Sequence, residues 1–422
     1  MKPVIVAGHV CVDLTPGLDA PPAMEPGRLI QVGPLALSAG GCVSNTGLAL
    51  ASLGIPTQLV ASAGSDQLGR VLVALLATSA ADTAGITCLD GRSTSYSIVV
   101  DVPGRDRTFW HHIGANAAFD GSGVIDRIEA AARLPGADIA AGVDIAAGAD
   151  IAAGADIAAG PDIAAGADIA AGADIAAGAD IAAGADIAAG AQDTILHLGY
   201  PTHLPALYAD GGAALVRLVG AARSAGATVS TDMAEIDPAS EAKAVDWESL
   251  LARTLPGVDV MKASVDDLDA MLPHRTGIKP IAWADALVEL GVAVALVTAG
   301  AEGLYVRTAS AARIRAAARP LREALPDWAN RELWAPSFAT RVLTTTGAGD
   351  AAAAGFLAGL AHARGPAESA LLSAAAAAAR MSGRPIGEAY ELVATIELPK
   401  EPRSGWSIGL DRVYHGPRDK EV

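Results

Sequence analysis

Residues 344–360 read TTTGAGDAAAAGFLAGL, and this stretch decides how the rest of the chain is interpreted. Its GAGD segment, residues 347–350, passes directly into small and apolar residues with helical spacing, which predicts a tight turn that enters a helix. The first backbone N–H groups of a helix have no partner inside the helix and carry the positive end of its dipole. The stretch therefore predicts a place where phosphate oxygens can bind without a cationic side chain.

Asp350 stands in the first turn of this predicted helix. A carboxylate beside bound phosphate is unfavourable unless it has a task, and accepting the proton of a hydroxyl that attacks phosphorus would be such a task. Aspartate is also a good helix N-cap, and glycine suits any tight turn. Taken by itself, the stretch favours neither a capping role nor a catalytic role for Asp350.

Composition limits the class of protein and of partner. The chain has 422 residues, of which 51% are hydrophobic and 4% are aromatic, enough for one large α/β domain or two small ones. Its formal net charge is -17, so we expect neither a nucleic-acid partner nor an anionic membrane surface, and a small-molecule partner instead. The alanine-rich residues 351–379 are interrupted by charged residues and a proline, which predicts two helices of a water-soluble domain and no membrane span.

The cysteines and the first residues indicate where the protein works. Cys11, Cys42 and Cys88 lack the spacing of a metal or redox motif, and their odd number argues against a disulfide framework. The opening residues, MKPVIVAGHVCVDL, are apolar only briefly, and we interpret them as a buried first strand, not as a signal peptide. A reducing, cytoplasmic location is expected.

A second glycine-rich stretch lies near the start, where Gly40 and Gly41 precede Asn45 and an apolar helix. Adjacent glycines let the backbone approach a ligand, and an asparagine on the first turn offers a donor and an acceptor to vicinal hydroxyls. The same residues could be no more than a turn and a cap. Asp13 comes just past the predicted first strand, where open α/β sheets place ligand-binding residues or a plain turn carboxylate.

In this order, the two stretches resemble the two signatures of the ribokinase-like carbohydrate kinases, the PfkB family. GGCVSN resembles the family's GGxxxN, and TTTGAGD resembles its DTxGAGD. The resemblance implies one domain over residues 1–422, with a ribokinase-like α/β fold: a central, mostly parallel sheet flanked by helices, and a small β-sheet lid. It also implies ATP- and Mg²⁺-dependent phosphorylation of a hydroxyl group on a sugar or related polyol.

The resemblance assigns roles to particular residues. Asp350 is implied to be the general base, and the backbone amides of Gly347, Ala348 and Gly349 to form the anion hole. The acceptor hydroxyls are implied to be bound by residues from the other end of the chain, namely Asp13, Gly40, Gly41 and Asn45.

Three shorter segments also resemble parts of the family. TAGAEG resembles its nucleotide loop and implies ATP binding by Thr298, Gly300 and Gly303, while IGAN resembles the end of its lid and implies substrate contact by Asn116. MKASVDD lies where the family carries NxxE, so Asp267 is expected to act on Mg²⁺ through water. Thr344 replaces an aspartate that often helps to hold a monovalent cation, so the sequence does not support activation by such a cation.

The lid is expected from strands near residues 28–38 and 93–112, the second pair joined by a PGRD hairpin turn. In the family such a sheet covers the acceptor, and its closure excludes water that would compete for the phosphoryl group. A homodimer formed through the lid would fit this arrangement.

Residues 137–190 are nine consecutive ADIAAG hexads with two small variations. Period six matches the loose hexapeptide rule of left-handed parallel β-helices. We favour the alternative, a tandem duplication that gives a low-complexity insert at a helix-to-strand junction. Residues 308–335 are expected to be an extra helical excursion, and residues 400–422 a polar, loosely held tail.

Two other functions remain open from the sequence. A nucleoside such as adenosine is the nearest alternative acceptor within the same chemistry. A degenerate kinase, kept as a ligand-binding or regulatory module, is favoured by the replacements at Thr344, Ser264 and Asp267, whereas the intact GAGD segment argues against it.

Overall fold

The computed structural model describes residues 1–22, 25–102, 107–133, 193–275, 277, 279–338, 340–395 and 405–419. The hexad segment at 137–190, expected to be a low-complexity insert or a β-helix, lies outside these residues, so both interpretations stay predictions.

The described residues form two separate sheets. Their strands, in chain order, are β1 (Val4–Gly8), β2 (Cys11–Pro16), β3 (Leu35–Gly40), β4 (Thr57–Gly64), β5 (Asp82–Leu89), β6 (Tyr96–Val100), β7 (Thr108–His112), β8 (Ile195–Gly199), β9 (Thr228–Asp232), β10 (Val260–Ser264), β11 (Val294–Thr298), β12 (Leu304–Thr308), β13 (Glu332–Ala335), β14 (Ser407–Ile408) and β15 (Tyr414–His415).

The helices lie between the strands. They are α1 (Gly41–Ser52), α2 (Gln67–Leu76), α3 (Ser122–Arg133), α4 (Pro205–Ser224, with non-helical residues at 209–212), α5 (Trp247–Thr254), α6 (Val265–Met271), α7 (Pro280–Glu289), α8 (Ala311–Arg315), α9 (Arg319–Glu323), α10 (Leu325–Trp328), α11 (Ala348–Ala361), α12 (Pro366–Met381) and α13 (Ala389–Thr395). None of the helices in the described ranges is both long and apolar enough to cross a bilayer.

The large sheet has the order β14-β15-β13-β12-β11-β10-β9-β8-β1-β4-β5 within the described residues. Pairing is parallel from β5 to β11 and antiparallel from β11 to β14. Strand β1 shows how the sheet is covered, because Val4 and Val6 join one hydrophobic cluster whereas Ile5 and Ala7 join another. Successive side chains of a strand point to opposite faces, so helices cover both faces, as the predicted fold class requires.

The predicted small sheet is confirmed, but its strands differ from those expected; we call it the lid below, and its role over the acceptor stays a prediction. Its order is β3-β2-β6-β7. The expected strand at residues 28–38 is shorter and later, at Leu35–Gly40, and an unexpected strand, β2, pairs with it. The chain leaves the large sheet after Gly8, whose φ of 127° strongly favours glycine. Asp13 therefore lies within a lid strand, where it faces Ser38 and Ser97 of the neighbouring strands, and not in a loop past the first strand.

The expectation of a loosely held C-terminal tail is wrong for residues 405–419. Strand β15 pairs with β13 of the large sheet, and Val413 and Tyr414 are buried. Arg418 donates to Asp285 at 2.9 Å and to Glu332 at 2.7 Å. The segment at 308–335 likewise contributes strand β13 to the sheet in addition to three short helices.

Candidate active site

The turn before α11 has the conformation that the GAGD segment predicts. Gly347 is the N-cap of α11 with a φ of 71°, a region that side chains rarely adopt. A Cβ atom at Gly349, in the first turn, would lie 2.6 Å from Nζ of Lys262. The unpaired amides of this helix terminus and a lysine ammonium group therefore share one small space, which suits an anion.

The Lys262 side chain enters this space from the large sheet. It lies in β10, is only 6% exposed, and its Nζ is 3.0 Å from Asp232 of the adjacent strand β9. Burial by itself lowers the pKa of Lys262, but Asp232, with Asp267 and Asp350 further away, outweighs burial and raises it. Lys262 therefore keeps its charge, whereas for Asp232 burial outweighs the effect of Lys262 and raises the pKa of the carboxyl to about 8. We name Gly347, Gly349, Asp350, Lys262 and Asp232 the helix-terminus cluster.

Asp350 does not cap the helix, because α11 has no side-chain cap. Its carboxylate is 1% exposed and accepts hydrogen bonds from Asn45 Nδ2 at 2.9 Å and from the Tyr200 hydroxyl at 2.8 Å. Thr46 Oγ1 also approaches Oδ1, at 3.4 Å. Asp350 is thus held by donors from α1 and from the residue that follows β8. Of the two interpretations of this residue, capping is excluded.

Of the acceptor-binding residues implied by the resemblance, the structure brings Asn45 into contact with Asp350. Asn45 touches it directly, although 305 positions separate the two in sequence. A Cβ atom at Gly40 would collide with the Asp13 carboxylate, and Gly41 has a φ of 83°. The two glycines therefore let Asp13 and the start of α1 approach closely. Burial raises the pKa of Asp13, and the carboxylate of Asp350 contributes to the rise.

A group of histidines that the sequence did not single out borders Asp13. His9 Nε2 lies 3.3 Å from His111 Nε2, and the Cys11 thiol donates to Asp13 Oδ1 at 3.4 Å. The ring centroid of His203 is 5.3 Å from that of His9. Burial is the main cause that lowers the pKa of His9 and of His203, and it lowers the pKa of His111 to about 4. We name His9, Cys11, His111 and His203 the histidine cluster.

Asn116 has a contact that its implied substrate role did not suggest. The side chain is fully buried, its Nδ2 donates to the Val10 carbonyl at 2.8 Å, and its Oδ1 accepts from the Val10 amide at 3.3 Å. Both polar atoms therefore hold the bend between β1 and β2. This bend carries His9 and Cys11, so Asn116 positions the histidine cluster through the backbone.

Asp267 is the residue expected to act on Mg²⁺. It forms a capping box at α6, in which its Oδ2 accepts from the Ser264 amide at 2.8 Å and its own amide donates to Ser264 Oγ at 3.0 Å. One carboxylate oxygen is left over for a water molecule, and its charge contributes to the raised pKa of Lys262. The metal role stays a prediction.

The segment implied to bind ATP joins β11 to β12. Thr298 ends β11, Gly300 has a φ of 53° and Gly303 a φ of 96°, and a Cβ atom at Gly303 would collide with the Ala335 carbonyl. Thr298 is in register with Ser264 of β10, so the segment leaves the same sheet edge as the helix-terminus cluster. Ligands of open α/β sheets bind at this carboxyl edge. The segment therefore lies at the edge where a nucleotide would bind, and ATP binding by Thr298, Gly300 and Gly303 stays a prediction.

Comparisons with known proteins agree with the fold. The model of the pfkB family of carbohydrate kinases matches residues 1–137 and 208–385. Ribokinase from Thermotoga maritima superposes with a TM-score of 0.60 at 15% identity, covering 94% of this chain and 100% of that chain. Arabidopsis thaliana ribokinase complexed with ribose and ATP gives 0.59 at 16% identity, covering 93% and 98%. No curated protein matches the sequence.

A third structural relative is a tetrameric inhibited form of phosphofructokinase-2 from Escherichia coli, with a TM-score of 0.60, 16% identity and coverage of 94% and 99%. At these identities the structural likeness shows the fold alone. The family match is a separate observation and extends over most of the chain. The chain therefore belongs to the pfkB family of carbohydrate kinases.

Proposed function

We propose that this protein transfers the γ-phosphoryl group of ATP to a hydroxyl group of a sugar or related polyol. One observation carries the proposal: the buried carboxylate of Asp350 lies in the first turn of α11, beside the Lys262 ammonium group, and is hydrogen-bonded to Asn45 from the other end of the chain. A base, an anion site and a polyol-binding side chain are thereby adjacent.

Asp350 would accept the proton of the acceptor hydroxyl. The Tyr200 hydroxyl marks a position from which an O–H group can donate to Asp350 Oδ1, and an acceptor hydroxyl would donate to the same carboxylate. Burial raises the pKa of Tyr200, and the negative charge of Asp350 raises it further. The hydroxyl therefore keeps its proton and remains a hydrogen-bond donor. Because Asp350 is almost completely buried and its Oδ1 accepts from Tyr200, the acceptor hydroxyl would have to displace the Tyr200 hydroxyl to reach it. The same burial would limit competition from water.

The anion site would hold the transferred group. The first-turn amides of α11 and the charged Lys262 side chain would bind the phosphoryl oxygens and stabilise the charge that develops on them. Bound Mg²⁺ would neutralise further phosphate charge, with the remaining oxygen of Asp267 as its expected contact through water. Asp13 and Asn45 would orient the acceptor, and positioning of this kind supplies much of the rate in phosphoryl transfer.

The geometry bears on one of the two alternative functions and not on the other. A binding module without activity would not require a buried carboxylate aligned with an anion site, so the geometry favours catalysis. Neither the fold nor the cluster geometry distinguishes a sugar from a nucleoside as acceptor, and both belong in the test.

The cytoplasmic location stays a prediction, as does the homodimer through the lid, although Leu37 of β3 and Trp110 of β7 offer exposed apolar side chains on that sheet.

The test is an acceptor panel. Purified protein with MgATP is mixed with pentoses, hexoses, polyols and nucleosides, and ATP consumption and product mass are measured together with thermal stability. The proposal expects turnover with at least one sugar or polyol. Turnover with nucleosides alone would replace it by nucleoside kinase activity, and ligand-dependent stabilisation without turnover would indicate a binding module. A mock purification from host cells that do not express the protein measures contaminating host kinases.

A further inference from the structure

The histidine cluster brings together ligand atoms that no step of phosphoryl transfer uses. One ring nitrogen of His9, Cys11 Sγ and one ring nitrogen of His111 all lie within 4.8 Å of one another. His9 and Cys11 are almost fully buried, whereas His111 is on the outer lid strand β7. They come from two distant parts of the chain, which is why the spacing of the cysteines gave no sign of a metal motif.

The distance between the two imidazole rings is the feature that most strongly suggests a metal site. Their Nε2 atoms are 3.3 Å apart. Two nitrogens bound to one tetrahedral Zn²⁺, each at about 2.0–2.1 Å, are separated by about 3.3 Å. The pair therefore already has the spacing of two adjacent ligands on a tetrahedral ion. Without a metal, the same contact is a hydrogen bond in which one imidazole donates to the other.

The surroundings of the cluster resemble those of metal ligands. His111 Nδ1 is 3.0 Å from Ser97 Oγ, which holds the ring with its Nε2 directed at His9. Ligating histidines usually have such a partner on the other ring nitrogen. His9 departs from this pattern, because within the part of the chain that the structure describes its Nδ1 is buried without a hydrogen-bond partner, as is Nδ1 of His203. His203 Nε2 is 2.9 Å from the Glu235 carbonyl and donates to it, so the unpartnered Nδ1 carries a lone pair.

We propose that His9, Cys11 and His111 bind one Zn²⁺ ion, with the fourth position open to water or to a ligand oxygen. Two imidazoles and a thiolate form a donor set that suits zinc and does not suit Mg²⁺, which prefers oxygen ligands. On binding, the Cys11 thiol loses its proton to solvent and its hydrogen bond to Asp13 is replaced by a Zn–S bond.

The ion would have a structural consequence for the lid. His111 lies in β7, two strands away from β2 in the small sheet, and His9 lies in the bend that leads from the large sheet into β2. Zinc would therefore connect the outer lid strand to the large sheet beside Asp13. Zinc binding does not depend on the proposed kinase activity, and it would stand even if no acceptor were phosphorylated.

The experiment uses the full-length protein stripped of metal by a chelator and titrated with Co²⁺, which occupies zinc sites and reports thiolate ligation by charge-transfer absorption. We expect one tetrahedral Co²⁺ per chain, displaced by Zn²⁺ and unaffected by excess Mg²⁺. Cys11→Ser should abolish the thiolate absorption, and His111→Ala should weaken Co²⁺ binding on the order of 10²-fold or more.

Matched variants control for adventitious binding. Cys88→Ser removes the exposed thiol, and His112→Ala removes the neighbouring histidine of the same strand; both should bind Co²⁺ like the unmodified protein. If Cys11→Ser does not fold, His111→Ala decides, because its side chain lies on the exposed lid strand, and thermal unfolding checks that it is intact. Octahedral Co²⁺ without thiolate absorption, or wild-type affinity in His111→Ala, would overturn the proposal.

Discussion

The helix-terminus cluster and the histidine cluster are neighbours, yet they are built in different ways. The first relies on backbone: a left-handed Gly347, the unpaired amides of α11, and a lysine that fits because Gly349 has no Cβ atom. The second relies on side chains from the β1–β2 bend, from β7 and from the segment after β8, brought together by the pairing of strands.

The two clusters differ because, under the proposed function, each would contact a different ligand. Phosphate oxygens are the same in every nucleotide, and backbone amides held by glycines bind them with little help from side chains. An acceptor differs between enzymes, and side chains must adapt to it. Under the proposed function, the helix-terminus cluster would be a general anion site, and Asp13 and Asn45 would belong to a specific acceptor site. The hydrogen bond between Asp350 and Asn45 connects the two.

Removing the Lys262 charge should have the largest effect on stability. Lys262→Met removes the ammonium group that lowers the pKa of Asp232, which burial already raises to about 8, so the carboxyl must take up a proton or stay charged without a counterion. Breaking a buried pair in this way costs about 3–5 kcal/mol in other proteins. We expect a decrease of this size in the free energy of unfolding measured by denaturant titration, with Lys243→Met, an exposed lysine, as control. The double variant with Asp232→Leu should recover much of the loss. A decrease within experimental error would show that the charged pair does not hold the helix-terminus cluster together.

The buried histidine of strand β8, His197, should make the free energy of unfolding depend on pH. His197 is buried between Ser230 and Cys42, and burial lowers its pKa to about 3. The unfolded chain binds a proton near pH 6.5 and the folded chain does not, so the contribution of neutral His197 is complete above that pH and is lost as the pH falls toward 3. Between pH 7 and pH 5 the loss is about 2 kcal/mol.

The measurement is the difference in unfolding free energy between the wild type and His197→Gln at the two pH values, because other buried histidines contribute equally to both proteins. The difference should shrink by roughly that amount at the lower pH. His274→Gln, an exposed histidine, is the control. A difference that stays constant with pH would mean that His197 is already protonated or is hydrated in the folded state.

Two glycine substitutions should separate the clusters in kinetics. Gly349→Ala pushes Lys262 away from the anion site and should raise the KM for nucleotide or lower kcat, on the order of 10-fold, whereas Gly40→Ala displaces Asp13 and should raise the KM for the acceptor by a similar factor. Steady-state kinetics with each substrate varied in turn measures this. If both variants affected the same KM, the proposed division of the site would be wrong.

The contact between the lid and the helix-terminus turn should have the smallest effect. Arg107 donates to Thr345 Oγ1 at 2.8 Å, across 238 positions of sequence. Loss of one such hydrogen bond costs about 0.5–1.5 kcal/mol, so Arg107→Ala should lower kcat/KM roughly twofold to tenfold. Arg92→Ala, an exposed arginine, should leave kcat/KM near the wild-type value. Equal values for both variants would show that this contact does not contribute to lid closure.

Sequence reasoning succeeded where a residue type is required by backbone geometry. Gly347 needs a left-handed conformation and Gly41 does too, so both glycine motifs could be found without coordinates. The family resemblance that these motifs carry also implied the mostly parallel sheet. Asp66 is likewise a residue type that favours the N-cap position, and its Oδ1 accepts from the Gly69 amide at 2.8 Å at the start of α2.

The remainder depends on pairings that no local pattern shows. His111 faces His9 only because β7 pairs with β6 and β6 pairs with β2, and these registers are tertiary facts. Tyr200 reaches Asp350 from a left-handed conformation after β8, 150 positions away. The tail was misjudged because its polar composition hides Val413 and Tyr414, which fill the edge of the core. Each case is a non-local contact between residues that are unremarkable in their own segment.

The most direct test of the central claim, that Asp350 is the general base, is the turnover of Asp350→Asn with the best acceptor from the panel, measured together with nucleotide affinity. The amide keeps the size of the side chain but cannot take the proton. We expect kcat to fall by a factor on the order of 10² or more while the Kd for ATP changes little. Glu368→Gln, which makes the same charge change in the first turn of α12, should behave like the wild type. Turnover of Asp350→Asn equal to that of the wild type would contradict the assignment.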